Sequence, residues 1–109
     1  MATQFKNKVV KEVGTVPILA IETDAATRST IVGLSLANLT ESVVSASVLV
    51  HDDTSVEGYF MKDVMVPPNT SLRALAAGEK LILAPSNQLY LVSNQIESLD
   101  AVISYVDIV

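Results

Sequence analysis

The sequence predicts an all-β protein: a single antiparallel β-sandwich or jelly roll of eight or nine short strands. Short apolar runs alternate with polar turns along the whole chain, at intervals of about ten residues. No segment shows the longer hydrophobic period of a convincing helix. The chain of 109 residues has room for one domain, which we expect to span residues 1–109.

The predicted strands lie between turn and breaker residues. They cover residues 8–13, 18–22, 29–38, 43–50, 58–66, 71–75, 80–84, 88–93 and 101–109. Pro67 and Pro68 end the fifth strand, because proline cannot donate to a sheet ladder. A tight turn is predicted at residues 76–79. Residues 72–77 also have helical propensity, so a single helical turn is an alternative there.

Alternation along two strands predicts which side chains share a face. In the third strand it separates the larger residues Val32, Leu34 and Leu36 from the small residues Gly33, Ser35 and Ala37. A neighbouring molecule could pack closely against the small set. In the fourth strand it directs Val44, Ala46, Val48 and Val50 inward and Ser45 and Ser47 outward. One buried face of this kind indicates an antiparallel sheet.

The last predicted strand, residues 101–109, has apolar side chains on both of its faces: Val102, Ile103, Val106 and Ile108. A strand of this type lies in the middle of a sheet or is covered by a neighbour. We expect that removing the last five or six residues prevents folding, because the core would lose large side chains.

The charge of the chain is acidic overall and basic at its amino end. The formal net charge is −5, which disfavours nucleic acid as a partner because affinity there depends on Lys and Arg. Lys6, Lys8 and Lys11 are concentrated at the start, so residues 1–7 form either an extended basic arm or part of an edge strand that docks on an acidic neighbour. Alternatively, these lysines simply keep an edge strand soluble.

Several functional classes lack their required residues. The chain has no cysteine, which excludes disulfides, zinc–thiolate sites and thiol catalysis. We find no phosphate-binding glycine loop and no Gly-x-Ser-x-Gly motif, so we expect no cofactor, no catalytic residues and no enzyme activity. No signal peptide and no membrane-spanning run is visible, so no membrane partner is expected. His51, Asp52, Asp53 and Glu57 resemble a cation site only loosely, and we interpret them as a solvated turn.

The chain also carries features of a contact surface. Half of its residues are hydrophobic, so a small domain would leave apolar surface exposed for a partner. Methionine and tyrosine are favoured at contacts, which makes Tyr59, Met61 and Met65 candidate interface residues together with the three amino-terminal lysines. The alternative is that residues 58–68 form an edge strand with one solvated face.

Four runs in the sequence resemble small virion structural proteins of tailed bacteriophages, including phages of cyanobacteria. They are VGLSLAN at 32–38, residues 43–50, KDVMVP at 62–67 and GEKLIL at 78–83. The resemblance covers about residues 5–109 and consists of strand and turn patterns. It implies a non-enzymatic β-sandwich in the virion, assembled in the host cytoplasm beside major capsid or tail proteins.

The resemblance implies that the function is structural, and three roles remain open. The first is a capsid cement or decoration protein that stabilises the head, forming a homo-oligomer such as a dimer or trimer. The second is a tail, baseplate or fibre subunit. The third is a host-glycan-binding module, which the small number of aromatic residues disfavours.

Overall fold

Nine antiparallel strands form two sheets that pack face to face, which confirms the predicted all-β sandwich. The structure is a computed structural model that describes residues 2–75 and 79–109. The strands are β1 (Thr3–Val13), β2 (Ile18–Glu22), β3 (Arg28–Asn38), β4 (Val44–His51), β5 (Glu57–Val66), β6 (Ser71–Arg73), β7 (Leu81–Leu83), β8 (Gln88–Ser93) and β9 (Leu99–Ile108). The first sheet has the order β1-β9-β3-β6, with β7 also paired to β3, and the second has the order β2-β8-β4-β5.

The core lies between the two sheets and is almost entirely aliphatic. Its fully buried large side chains include Ile31, Leu36, Leu83, Leu89, Leu91, Leu99 and Ile103. The predicted inward set of β4 is confirmed for Val44, Ala46 and Val48, while Val50 is partly buried and packs against the core. Ser45 and Ser47 are buried as well, because β4 lies between β8 and β5 and small side chains there are shielded by their neighbours.

The predicted strands correspond to the observed ones, with differences at their ends. The first strand begins at Thr3, so residues 3–7 belong to the edge strand β1 and are paired with β9. Strands β6 and β7 are shorter than predicted, because they pair only with separate parts of β3. The predicted turn at 76–79 falls largely outside the described residues. The alternative helical turn at 72–77 is wrong at its start, because Leu72 and Arg73 lie in β6 and pair with β3. No helix among the described residues is long and apolar enough to cross a membrane.

A β-bulge in β3 corrects the predicted facing of Val32. The register of β3 against β9 shifts between Ile31 and Gly33, so Val32 is an extra residue in its strand. The shift reverses the alternation at that point. Ile31 is therefore fully buried and Val32 is exposed, while Leu34 and Leu36 share a face as predicted and are both buried.

Strand β9 lies in the middle of its sheet, as predicted, but only one of its faces is buried. It pairs with β1 on one side and β3 on the other. Leu99, Ala101 and Ile103 face the core, whereas Val102 is 45% exposed on the other side. The central position therefore comes from backbone pairing on both edges, and the expectation of two buried faces was wrong.

Candidate functional site

The outer face of the first sheet is apolar and exposed. Register places Phe5 of β1 opposite Val106 of β9, Val106 opposite Thr30 of β3, and Thr30 opposite Ile82 of β7. Phe5 is 84% exposed and Ile82 is also exposed, so this first row of side chains is open to a partner. Side chains in register on antiparallel strands lie on the same face, so the row is continuous across four strands.

Two further rows complete this surface, which we call the outer face. The second row consists of Asn7, Ser104 and Gly33, and the third consists of Val9, Val102, Ser35 and Arg73 of β6. The second row has small side chains and lies between two rows that contain exposed apolar residues. The small side chains of Gly33 and Ser104 leave an open cavity of about 570 Å³ in the outer face, bordered on one side by Arg73, Leu75 and Glu79.

Among the described residues, charged side chains border the outer face: Arg73 of β6 ends the third row, and Glu79 lines the same cavity as Gly33 and Ser104. Arg28 lies opposite Ile108 at one end of β9, and Asp100 lies opposite Ala37 at the other end. Depletion of charge combined with exposed apolar side chains is typical of the centre of a protein interface. In a chain of net charge −5, this surface, on which the β1 and β9 members of all three rows are uncharged, is the best candidate for a contact site.

The predicted contact residues Lys6 and Lys8 face the opposite way, toward the space between the sheets. They line an open polar groove of about 490 Å³ between β1 and β2, together with Tyr105 and Asp107. The ammonium of Lys6 lies 3.1 Å from Oδ2 of Asp107. Asp107 is buried, and it also accepts a hydrogen bond from the hydroxyl of Ser29. Lys6 therefore forms an ion pair within the chain, while its side chain remains 45% exposed at the groove.

The third predicted lysine, Lys11, lies in a bulge near the end of β1. The register shifts between Val10 and Val13, so Lys11 and Glu12 together lie opposite Asp100. Glu12 has a φ of 56°, and its backbone N–H donates to Oδ1 of Asp100 at 2.9 Å. The three lysines therefore do not form one basic patch.

The predicted contact residues of β5 lie on both sides of the second sheet. Tyr59 and Met65 are exposed on its outer side, with the ammonium of Lys62 5.2 Å from the Tyr59 ring centroid. Met61 lies opposite the buried Val48 and packs against the core. Two register shifts interrupt β5, which makes it a poor edge for adding another strand. Only two of the three β5 residues thus share a surface.

The loop after β4 is organised by Asp52. Its carboxylate accepts hydrogen bonds from the hydroxyl of Thr54 at 2.7 Å, the N–H of Thr54 at 2.9 Å and the N–H of Val56 at 3.0 Å. Residues 2–75 and 79–109 contain no group of three or more His, Cys, Asp and Glu side chains that could hold a metal ion. The carboxylate of Asp52 therefore serves to shape the turn.

We expect a low pKa for Asp52 that depends on Thr54. The Thr54 hydroxyl, followed by the Val56 N–H, lowers the pKa of the Asp52 carboxyl below its ordinary value. Because this pKa is depressed, the contribution of the carboxylate to stability is present above the unfolded-state pKa and lost as the pH falls through the folded-state pKa. Replacing Thr54→Ala should raise the pKa of Asp52 in an NMR titration of side-chain carboxyl carbons. Replacing Thr70→Ala, on a different turn, is the control, and an unchanged Asp52 pKa in Thr54→Ala would contradict the assignment.

Sequence reasoning identified part of the outer face and missed the rest. It singled out the small residues Gly33 and Ser35 as a surface that permits close packing, and both belong to the outer face. It did not identify Phe5, Val9 or Val102. A signal was present in β1, where Phe5, Asn7 and Val9 alternate with polar residues. Lysines are normally expected outside and apolar residues inside, and β1 has the reverse arrangement.

Comparison with known proteins supports the fold. No protein-family model and no curated protein matches the chain. A chain from the structure of Bacillus endospore appendages, which form a family of disulfide-linked pili, matches with a TM-score of 0.58 and 4% identity over 96% of this chain and 86% of that chain. A chain from infectious bursal disease virus, Gt strain, matches with a TM-score of 0.49 and 8% identity. The match covers 98% of this protein but only 30% of the viral chain. By its fold, the protein belongs to the class of two-sheet all-β sandwiches.

Proposed function

We propose that this protein is a non-enzymatic structural subunit of a virus particle. The observation that carries the proposal is the outer face, a surface of the first sheet on which apolar side chains are exposed and charged side chains lie at the borders. Exposure of such a surface to water is unfavourable, and its burial against another protein is favourable by about 25 cal/mol per Å² of apolar area. A rigid sheet with this surface is suited to repeated contacts in an assembly.

Within the particle, we propose that the protein is a cement or decoration protein that stabilises the capsid. The runs that resemble tailed-phage virion proteins support this choice, and their described parts overlap β3, β4, β5 and β7 of the sandwich. Many copies, each bound weakly, would strengthen a capsid through multivalency. The net charge of −5 would limit adhesion to packaged nucleic acid.

Fractionation of the source particle tests the location. Heads and tails are separated, and the chain is quantified in each fraction by mass spectrometry. A cement protein would be found in heads at hundreds of copies, on the order of the number of capsid subunits it contacts. Recovery in tails at low copy number would favour a tail, baseplate or fibre subunit. In a fibre, the contacts between copies could not be disulfides, because the chain has no cysteine.

Binding to heads tests the stabilising role. Recombinant protein added to expanded heads that lack it should co-sediment with them and raise their melting temperature, since a ligand of the assembled state stabilises that state. An unrelated acidic protein of similar size is the control for nonspecific charge effects. Heads whose melting temperature is unchanged at saturating protein would rule out a cement role.

A further inference from the structure

We propose that the outer face binds the outer face of a second copy of this chain across a two-fold axis. The inference rests on the proposed function, since it takes the outer face as an assembly surface and names its partner. The axis lies in the plane of contact, runs across the strands, and passes over the row formed by Asn7, Ser104 and Gly33. Symmetric pairing of one patch with itself is the commonest form of homo-oligomer contact.

The apolar side chains match under this symmetry. The axis exchanges the row of Phe5 and Val106 with the row of Val9 and Val102. Phe5 of one copy therefore lies over Val9 of the other, and Val106 lies over Val102. On β1 and β9 exposed apolar side chains therefore cover one another and are shielded from water, while on the far side of the face Arg73 of one copy lies over Ile82 of the other.

The small central row permits the two sheets to approach each other. Gly33 has no side chain, and a Cβ built there would meet only ordinary contacts among the described residues, with Cβ of Ser104 at 3.7 Å. Among the described residues, Gly33 therefore lines an open cavity that a second molecule could enter. A glycine inside a strand otherwise weakens it, and close approach of another backbone is one reason for its presence there.

The charges at the ends of the outer face are complementary in this arrangement. Ser104 lies midway along β9 between Asp100 and Ile108, and Ile108 lies opposite Arg28. A two-fold axis at Ser104 brings Arg28 of one copy close to Asp100 of the other, and the same pair forms twice. Oδ1 of Asp100 accepts a hydrogen bond from the backbone N–H of Glu12, so Oδ2 is the oxygen that would pair with Arg28 of the second copy. The alternative axis, parallel to the strands, would place equal charges together and is disfavoured.

The area of the outer face predicts a weak dimer. The width of the face is three strands at a spacing of about 4.8 Å, and its length is about nine residues at a rise of about 3.4 Å each. It therefore covers roughly 450 Å² per copy. Two copies would bury about 900 Å², below the 1,200 Å² or more of stable complexes. We therefore expect a concentration-dependent dimer in solution that high local concentration in a particle would favour.

Sedimentation velocity of the isolated protein, from about 10 µM to about 1 mM, tests this dimer. The wild-type chain should shift from monomer to dimer, and Phe5→Glu should weaken the dimer by at least tenfold. Ile96→Glu is the matched control, because Ile96 is also exposed but lies outside the outer face, in the turn between β8 and β9. It adds the same charge and should leave the dimer unchanged.

A second variant separates loss of contact from loss of folding. Gly33→Val adds bulk at the axis and favours the strand conformation, so the melting temperature of the monomer should hold or rise while the dimer weakens. Arg28→Gln and Asp100→Asn should each weaken the dimer. The double variant should dimerise no more weakly than either single variant, because both single substitutions already remove the same charge pair. The Asp100→Asn variant keeps a side-chain oxygen that can accept the hydrogen bond from the backbone N–H of Glu12.

Three results would overturn the inference. The first is a wild-type chain that remains monomeric throughout the concentration range. The second is a dimer that Phe5→Glu and Gly33→Val leave intact, which would place the contact elsewhere. The third is a monomer whose binding to heads is lost in Phe5→Glu, which would identify a capsid protein as the occupant of the outer face. Because head binding is measured separately, failure of the dimer and failure of the proposed function are distinguishable.

Discussion

Deleting residues 104–109 should abolish cooperative folding. Each residue from Ser104 to Ile108 pairs with β1 on one side and β3 on the other, so the deletion removes partners from two strands. At about 1 kcal/mol net for each lost hydrogen bond, the loss is comparable with the whole stability of such a domain, about 5–15 kcal/mol. Ser29 and Lys6 would also lose the carboxylate of Asp107.

The physical reason differs from the one that the sequence indicated. The deleted segment contains no fully buried large side chain, and the last of these on β9 is Ile103. Loss of backbone pairing at the centre of the sheet is therefore the main effect, and loss of core volume is secondary. Far-UV circular dichroism and a thermal melt measure the outcome.

A shorter deletion provides the control for this experiment. Removing Val109 alone breaks its two backbone hydrogen bonds with Ala2 at the end of the sheet and should lower the melting temperature only slightly. Terminal pairs of this kind fray readily. A chain lacking residues 104–109 that still melts like the full-length protein would show that β9 is not required.

Replacing Asn38→Ala should destabilise the fold by about 3 kcal/mol. The side chain is 4% exposed at the end of β3, and its Nδ2 donates to the carbonyls of Ser42, Val66 and Pro67 at 2.8, 3.0 and 3.2 Å. Its Oδ1 accepts from the N–H and the hydroxyl of Thr40, both at 2.8 Å. Alanine would leave several of these groups without partners, and each unpaired buried group costs about 1–3 kcal/mol.

Chemical denaturation of two further variants isolates the cause. Asn38→Asp keeps the size and the acceptor but turns a carboxylate toward three carbonyl oxygens, so it should destabilise at least as much as alanine at neutral pH. Asn7→Ala removes the same amide from an exposed strand position and should change the free energy of unfolding by less than about 0.5 kcal/mol. If Asn38→Ala is as mild as Asn7→Ala, the hydrogen bonds of Asn38 are not important for stability.

Much of the secondary structure was predictable because its signals are local. The eighth strand, Gln88–Ser93, was predicted with its observed bounds, since a proline and a polar pair mark its start and a polar turn its end. The alternation in β4 likewise identified Val44, Ala46 and Val48 as core residues. Period-two patterns and turn residues depend only on the neighbouring chain, so they can be read without knowledge of the fold.

The contact residues were less predictable because residue type does not determine which face of a strand is buried. Lys6 was predicted at an interface and lies in a groove, paired with Asp107 across the sheet. Met61 was predicted at the same kind of surface and packs against the core. In both cases the side chain follows the register of its strand and the cover supplied by the opposite sheet.

The class of fold, the approximate positions of nine strands and the acidic character of the chain follow from composition and local patterns. Which strands are neighbours, where bulges shift the register and which side of β1 faces water follow only from the packing of the two sheets. Pairing of β1 with β9 directs Lys6 to Asp107 and leaves Phe5 exposed. That outcome depends on residues about a hundred positions apart, and only the folded arrangement of the two sheets brings them together.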